Sequence, residues 1–202
     1  MHMLIRAVVV AGSWDDALRT AEADVSDRLV RGGVFDYYRT LDHEDGEHGV
    51  AGADRWGQDI PAAARIDTED GRELVEDGMD ATERAFRRNL AAVKLALTHL
   101  SDEELREMSA VDADIDLREL LDDGEIAAVA AEHDVERVPF LFDVRHAMYR
   151  LGQYRGPSVW LYDGTDWSCG QGIRTRATLH TIRDRAEDAD GDLWVAPTDV
   201  HY

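Results

Sequence analysis

The chain of 202 residues carries 43 Asp and Glu against 22 Lys and Arg, which gives a formal net charge of −21. Its hydrophobic content of 44% is ordinary for a globular protein and excludes wholesale disorder. No apolar run approaches the roughly 18 residues of a membrane-spanning helix, and we expect no signal peptide. The single cysteine, Cys169, excludes an intramolecular disulfide. These features predict a folded cytoplasmic protein that does not act in a membrane.

The basic residues include only one lysine, Lys94, and the acidic residues comprise 28 Asp and 15 Glu. This bias is typical of halophilic proteins, which work in a cytoplasm that holds molar salt. At 1 M ionic strength the Debye length falls to about 3 Å, so neighbouring carboxylates repel one another little. The alternative is an acidic surface that binds a basic partner. We predict salt adaptation, and the acidity is then no argument against anion or nucleic-acid binding.

The first 41 residues predict a strand, a helix and a second strand. Leu4–Ala11 is apolar on both faces, as in a central strand. Ser13 is a candidate N-cap with Asp16 at the capping-box spacing, and Gly32 with Gly33 ends the helical pattern. Val34–Leu41 then alternates as a strand does.

Residues 42–57 read as an acidic, glycine-punctuated loop, and a helical pattern resumes near Asp70. Capping-box spacings then predict short successive helices, and Pro139 begins a last helix that Gly152 ends. One apolar stripe at helical spacing is formed by Val75, Met79, Thr82, Phe86, Leu90, Val93, Leu97 and Leu100. The capping-box pairs are Ser101 with Glu104, Asp116 with Glu119, and Asp122 with Glu125.

The last 47 residues return to strand signals. Ser158–Tyr162 predicts a strand, and Asp166–Cys169 is its possible hairpin partner after an Asp-Gly turn. A helix is predicted from about residue 174 to 187. Leu193–Ala196 predicts a final strand that Pro197 stops.

Both ends of the chain therefore follow a strand-helix-strand pattern. Two such halves predict an α+β fold with the split β-α-β sheet of ferredoxin-like proteins. Residues 1–202 would form one domain, with residues 70–152 as a helical insertion between the halves. A doubly wound parallel sheet is the alternative, but it needs more strands than the pattern provides.

An anion site is predicted where glycines precede the helix at residues 174–187. Gly170 and Gly172 would let backbone N–H groups face an anion at a helix N-terminus. Arg174 and Arg176 would add guanidinium groups. The spacing matches no named phosphate-binding motif, and the alternative is a plain connection with two surface arginines.

Cys169 is a possible nucleophile, with His180 or His146 as its base. A lone cysteine is more often a small buried apolar residue, and no local motif supports catalysis here. The sequence therefore identifies no catalytic residue and leaves enzymatic activity uncertain.

A basic and aromatic helix is predicted around Arg145, His146, Tyr149 and Arg150. Spacings of four place His146 with Arg150, and Arg145 with Tyr149, on shared helix faces. Basic groups interleaved with aromatic rings suit phosphate contact and base stacking. The alternative is a structural helix whose arginines pair with acidic neighbours.

The segment from Asp42 to His48, with His43 and His48, combines two imidazoles with four carboxylates within seven residues. These groups are metal ligands, but a loop spacing of five between the histidines fixes no geometry. A solvated acidic loop is the preferred interpretation, so we predict no metal and no cofactor.

Three function classes are compatible with these patterns. The first is a non-catalytic binding or regulatory module that recognises a protein partner or a small anionic ligand. The second is a hydrolase or transferase that acts on a phosphorylated or acyl substrate around Cys169, Arg174 and Arg176. The third is an RNA- or ribosome-associated protein that uses the arginine-aromatic helix. The first is preferred because no catalytic constellation and no cofactor motif is present.

Overall fold

The computed structural model describes residues 2–42, 52–57, 59–108, 123–134, 157–162, 171–173 and 191–201. The chain divides into two compact units, one formed by Met1–Ala81 with Pro157–Tyr202 and the other by Thr82–Gly156. The first unit contains a mixed sheet with helices, and the described part of the second is helical. The α+β class is therefore confirmed. The interpretation of residues 70–152 as an insertion within one domain stays a prediction.

The sheet of the first unit has six strands in the order β2-β6-β1-β4-β5, and the short β3 also pairs with β6. β1 is parallel to β4 and antiparallel to β6, and β6 is antiparallel to β2. The four strands that the sequence predicts belong to this one sheet. The strands are β1 His2–Ala11, β2 Tyr37–Thr40, β3 Ala64–Arg65, β4 Val159–Leu161, β5 Gln171–Ile173 and β6 Asp192–His201.

β6 passes through Pro197, so the prediction that Pro197 stops this strand is wrong. Pro197 lies opposite Arg6 of β1. The Arg6 N–H donates to Ser158 on the other side of β1, at 2.6 Å. Arg6 and Pro197 therefore form a non-hydrogen-bonded pair, in which the backbone groups of both residues point away from each other. Because a backbone N–H at position 197 would point away from β1, the proline costs the β1–β6 ladder no hydrogen bond.

The ferredoxin-like order is not confirmed. Along the chain, β1, a helix and β2 do form a split unit, because β2 is parallel to β1 and one antiparallel strand lies between them. That intervening strand is β6, the last strand, whereas the ferredoxin-like order requires the third predicted strand. The third predicted strand, now β4, instead lies parallel to β1 on its other side. Strand propensity marks where a strand lies and does not specify its neighbours.

The first face of the sheet packs against α1, which spans Trp14–Asp24 and continues as a π-helical turn over Val25–Val30. The N-cap prediction is confirmed, because the Ser13 hydroxyl accepts from the Asp16 N–H at 3.2 Å. Gly33 ends the segment with a φ of 71°, in the left-handed region that glycine adopts without strain. The shared core contains Ile5, Ala7, Val9, Ala17, Leu18, Ala21, Val25 and Leu29, all buried.

The second face of the sheet is covered in part by the beginning of α3, which spans Glu69–His99. Leu74, Val75 and Met79 of α3 pack against Val8, Val159 and Val195 of the sheet. Gly78 allows the close approach, because a Cβ there would lie 2.5 Å from Val159 Cγ2 and 2.9 Å from Arg6 Cδ.

The second unit contains the rest of α3, together with α4 over Asp102–Met108 and α5 over Asp123–Glu132. The Ser101–Glu104 capping box is confirmed in both directions, at 3.3 Å and 2.8 Å. The predicted stripe is confirmed only in part in this unit: Val93 and Leu100 are buried, but Phe86 is 42% and Leu97 is 57% exposed. The core combines these two buried residues with Leu95 and with small side chains that permit close helix packing, namely Ala91, Ala92 and Ala96.

Several predicted elements lie outside the described residues, namely the helices near 116 and at 139–152, the strand at 166–169 and the helix at 174–187. The antiparallel partner of β4 among the described residues is β5 at Gln171–Ile173. None of the helices that the structure describes is both long and apolar enough to span a membrane.

Candidate functional site

The second face of the sheet becomes polar at the end where β1 and β2 begin and β6 ends. Register places His2, His201, Asp199 and Arg39 on this face, because residues opposite one another in neighbouring strands share a face. The short helix α2, Ala53–Trp56, adds Arg55 to this group. Asp36, the residue directly before β2, also belongs to it. We call this group the sheet-end cluster; it comprises His2, Asp36, Arg39, Arg55, Asp199 and His201.

Asp199 is the buried centre of the sheet-end cluster, with a side chain that is 0% exposed. One carboxylate oxygen lies 3.0 Å from His2 Nδ1. The other accepts from the Gly52 N–H at 3.1 Å and lies 4.0 Å from Arg55 Nε. Buried carboxylates require such partners, because burial without them costs several kcal/mol. The carboxylate therefore ties α2 to the centre of the sheet.

Gly52 needs its glycine identity to reach Asp199. Its φ is 59° and its ψ is −136°, a combination that side-chain-bearing residues avoid. This conformation accompanies the N–H bond to the buried carboxylate just before α2 begins.

His201 forms a second imidazole–carboxylate pair on the same face. Its Nδ1 lies 2.8 Å from the Asp36 carboxylate, and the Asp36 backbone N–H donates to the His201 carbonyl at 2.9 Å. The hydrogen bond from His201 lowers the pKa of Asp36 below its usual range. The rings of His2 and His201 meet edge to face with centroids 4.9 Å apart. Two imidazole–carboxylate pairs therefore lie side by side.

One arginine lies near Asp199, and two more share its face of the sheet by register. Arg55 lies nearest, and Arg39 is opposite Asp199 in the β2–β6 register. Arg6 lies two residues further along β1 on the same face, is 8% exposed, and donates through Nη1 to the Leu4 carbonyl at 2.7 Å. Guanidinium groups form bidentate bonds with carboxylates and phosphates. The arrangement suits the recognition of an anion.

The anion loop predicted from sequence is described only at Gly172, which lies in β5 opposite Trp160. A Cβ at Gly172 would collide with the Pro157 ring, so close packing in a strand already explains this glycine. Of the described residues, no group of three or more His, Cys, Asp or Glu side chains is placed to hold a metal ion. The other predicted site residues lie outside the described ranges: His43, His48, Arg145, His146, Tyr149, Arg150, Cys169, Gly170, Arg174, Arg176 and His180.

Sequence reasoning missed the sheet-end cluster because its members are distant along the chain. His2 and Asp199, for example, are separated by 197 positions. The available signal was the last strand, in which Asp199 and His201 alternate with Val200 in a hydrophobic segment. A charged residue in such a segment indicates either an exposed face or a buried site with partners. The assumption that Pro197 ends the strand concealed this pattern.

Comparison with known proteins identifies a family for this chain. No curated protein and no solved structure matches this chain. A family model described as "Domain of unknown function (DUF7995)" matches residues 1–120 and 124–202. The match covers both the strands that carry the sheet-end cluster and the helical second unit. The chain therefore belongs to the DUF7995 family.

Proposed function

We propose that this protein is a non-catalytic binding or regulatory module of a salt-adapted cytoplasm, and that it recognises a small anionic ligand at the sheet-end cluster. The observation that carries the proposal is the partly exposed Arg55, which lies 4.0 Å from the buried Asp199. Arg39 is opposite Asp199 on β2, and Arg6 lies two residues further along β1 on the same face. A protein partner, the other ligand class that the sequence suggests, is an outcome that the test below distinguishes.

The charge composition makes this placement informative. The chain has nearly twice as many acidic as basic residues, so a random surface region carries excess negative charge. The sheet-end cluster with Arg6 instead gathers three guanidiniums and two imidazoles with two carboxylates. In molar salt, long-range attraction is screened over a few ångströms. Anion binding under such conditions depends on short charge-assisted hydrogen bonds, which guanidinium groups supply.

The rigidity of the cluster supports binding rather than a loose ion-pair network. Asp199 is fixed by the Gly52 backbone and by His2, and β6 is paired along its length with β1. Groups that are already ordered lose less conformational entropy when a ligand binds. Arg55 is 37% exposed at its side chain, so a ligand in solvent can reach it.

The proposal is tested by thermal melting of the protein in molar KCl with a chelator present. Inorganic phosphate, citrate and ATP are added at millimolar concentration, each against a KCl control of equal ionic strength. Specific binding raises the melting temperature with the logarithm of ligand concentration. We expect at least one of these anions to do so.

Three variants locate the site. Arg55→Gln should abolish the shift and leave the fold intact, because Arg55 is partly exposed. Arg19→Gln is the matched control, since Arg19 is an exposed arginine that pairs with Asp16 on α1. The double variant Arg174→Gln/Arg176→Gln tests the loop predicted from sequence. Loss of the shift in the double variant alone would place the site at that loop.

An absence of shift with all three anions would contradict the proposal and favour the protein partner. The hydrolase or transferase and the RNA-associated protein stay predictions, because the residues on which they depend lie outside the described ranges. An absorbance ratio at 260 and 280 nm above that of protein alone would support RNA binding. Rapid labelling of native Cys169 by a thiol reagent would favour the enzyme.

A further inference from the structure

The two histidines of the sheet-end cluster form a unit that anion recognition does not use. His2 and His201 are directly opposite in the β1–β6 ladder, and their ring planes meet at 65°. Their side chains are 23% and 36% exposed, so both rings are partly open to solvent. A small ion can therefore reach them without any movement of the strands.

Each ring is oriented by a different carboxylate acting at Nδ1. Asp199 holds His2 from the buried side at 3.0 Å, and Asp36 holds His201 from the exposed side at 2.8 Å. An ionised carboxylate only accepts hydrogen bonds, so Nδ1 of each ring carries the proton. In the neutral ring the lone pair is then on Nε2. Metal-binding histidines in proteins are supported in the same way, by a carboxylate on the nitrogen that does not bind the metal.

We propose that His2 and His201 bind one divalent transition-metal ion, such as Zn²⁺ or Ni²⁺, through their Nε2 atoms. Imidazole is a preferred ligand of both ions, and water completes the coordination shell. Asp36 and Asp199 act as positioning residues. The proposed site has two protein ligands.

A carboxylate lies next to each ring and offsets the charge of a bound cation. Asp36 is 66% exposed at its side chain. Arg55 approaches the Asp199 oxygen that does not contact His2. Asp199 needs His2 as a partner because it is buried, but the largely exposed Asp36 does not need His201 for this reason. The metal site explains why His201 is nevertheless held by a carboxylate at Nδ1.

The test uses untagged, chelator-treated protein in molar KCl without polyvalent anions. Zn²⁺ binding is measured by isothermal titration calorimetry, and Co²⁺ is added as a spectroscopic probe whose visible absorption reports nitrogen ligation. We expect one ion per chain and a rise in melting temperature with Zn²⁺ concentration. His2→Gln and His201→Gln should each weaken Zn²⁺ binding by at least tenfold. Asp36→Asn should weaken it by about 10–100-fold, as positioning carboxylates do.

Two controls make the result specific. His99 is 29% exposed and lies 3.9 Å from the Glu125 carboxylate, but it is not part of the His2–His201 pair, so His99→Gln should bind Zn²⁺ like the wild type. The double variant His43→Gln/His48→Gln tests the acidic loop. Wild-type protein without Zn²⁺ binding would overturn the proposal, as would unchanged binding in both His2→Gln and His201→Gln. Loss of binding in the loop variant alone would also overturn it.

This inference goes beyond the proposed anion recognition and fails independently of it. The anion experiment contains a chelator, and the metal experiment contains only chloride. A protein that binds anions but no Zn²⁺ would retain the proposed function without the metal site. A protein that binds Zn²⁺ but shows no anion shift would retain only the metal site.

Discussion

The first face of the sheet, which packs against α1, buries only apolar and hydroxyl-bearing side chains in the described part of the chain. The second face is apolar where α3 covers Val8, Val159 and Val195, and it becomes charged toward Asp199. Both faces come from the same strands, because alternate residues point to opposite sides. The difference shows that a single strand, such as β6, can supply core contacts to one face and candidate ligand contacts to the other, because its side chains alternate between the two faces. Both proposed sites lie at the polar end of the second face, whereas the first face contains only core contacts among the described residues.

The largest expected effect is that of salt concentration on stability. It concerns both faces equally and sets the conditions for the other measurements. Lowering KCl from molar to about 0.1 M extends the screening length to about 10 Å, so the excess carboxylates repel across the folded surface. Each exposed pair contributes only about 0.2–1 kcal/mol, but many pairs together rival a total stability of about 5–15 kcal/mol. Melting temperatures measured across this KCl range at neutral pH should fall as salt is removed. A flat or rising series would show that the acidity serves a basic partner instead.

Asp199→Ala tests whether the polar end is functional as well as structural. The substitution removes the acceptor of the Gly52 N–H and of His2 Nδ1, and each buried group left unsatisfied costs about 1–3 kcal/mol. Ile5→Ala, on the first face, should cost about 2–5 kcal/mol. Urea unfolding in molar KCl measures both losses. Only Asp199→Ala should also lose the anion-dependent thermal shift; loss of that shift in Ile5→Ala as well would break the distinction between the faces.

Gly78→Ala tests how tightly α3 lies on the second face. The new Cβ meets Val159 and Arg6, and overpacking of this kind costs about 1–3 kcal/mol. Alanine gains about 1 kcal/mol over glycine in a helix, so the net loss should be about 0–2 kcal/mol. Asp77→Ala, at the exposed neighbouring position, is the control and should not destabilise the protein. A stabilised Gly78→Ala variant in urea unfolding would show that the packing is looser than described.

Tyr162→Phe tests the first face and has the smallest expected effect. The Tyr162 hydroxyl is buried and has no hydrogen-bond partner among the described residues, so its removal should be neutral or stabilise by up to about 1 kcal/mol. Burial, with the nearby Asp24 charge, raises the pKa of Tyr162 well above its usual value of 10.0. Above pH 10 the unfolded chain loses this proton and the native protein keeps it, so stability falls as pH rises.

Tyr162→Phe should therefore reduce the alkaline loss of stability measured by urea unfolding between neutral pH and about pH 11. Tyr38→Phe, a half-buried tyrosine on the same face, is the control. An equal reduction in both variants would contradict the assignment of the effect to Tyr162.

Local signals allowed much of the fold to be predicted. The apolar run of β1, the Ser13 cap and the Ser101–Glu104 capping box depend on residues close in sequence, and the structure confirms them. The placement of β2 beside β6 was not predictable in this way. Pairing depends on packing between distant segments, and the propensity of Tyr37–Thr40 for a strand contains no information about its partner.

The candidate site was predictable only in its residue types. The sequence reasoning looked for ligands close together along the chain, at His43–His48 and at Arg174–Arg176. The described cluster is instead assembled by register: Tyr37 pairs with His201, and Arg39 pairs with Asp199. A one-residue change of register would move these side chains to the opposite face. The site is therefore a property of the sheet and not of any contiguous motif.

The β1–β6 ladder also constrains how this chain folds. It is the most extensive pairing in the sheet, and it joins residues as distant along the chain as His2 and His201. Contacts of such long range slow folding, because the chain loses entropy before the contacts form. During synthesis at about 5–20 residues per second, β1 waits roughly ten seconds or more for its central partner. Throughout that interval an apolar strand presents open hydrogen-bonding edges, so the nascent chain has a prolonged period of aggregation risk before the centre of its sheet is complete.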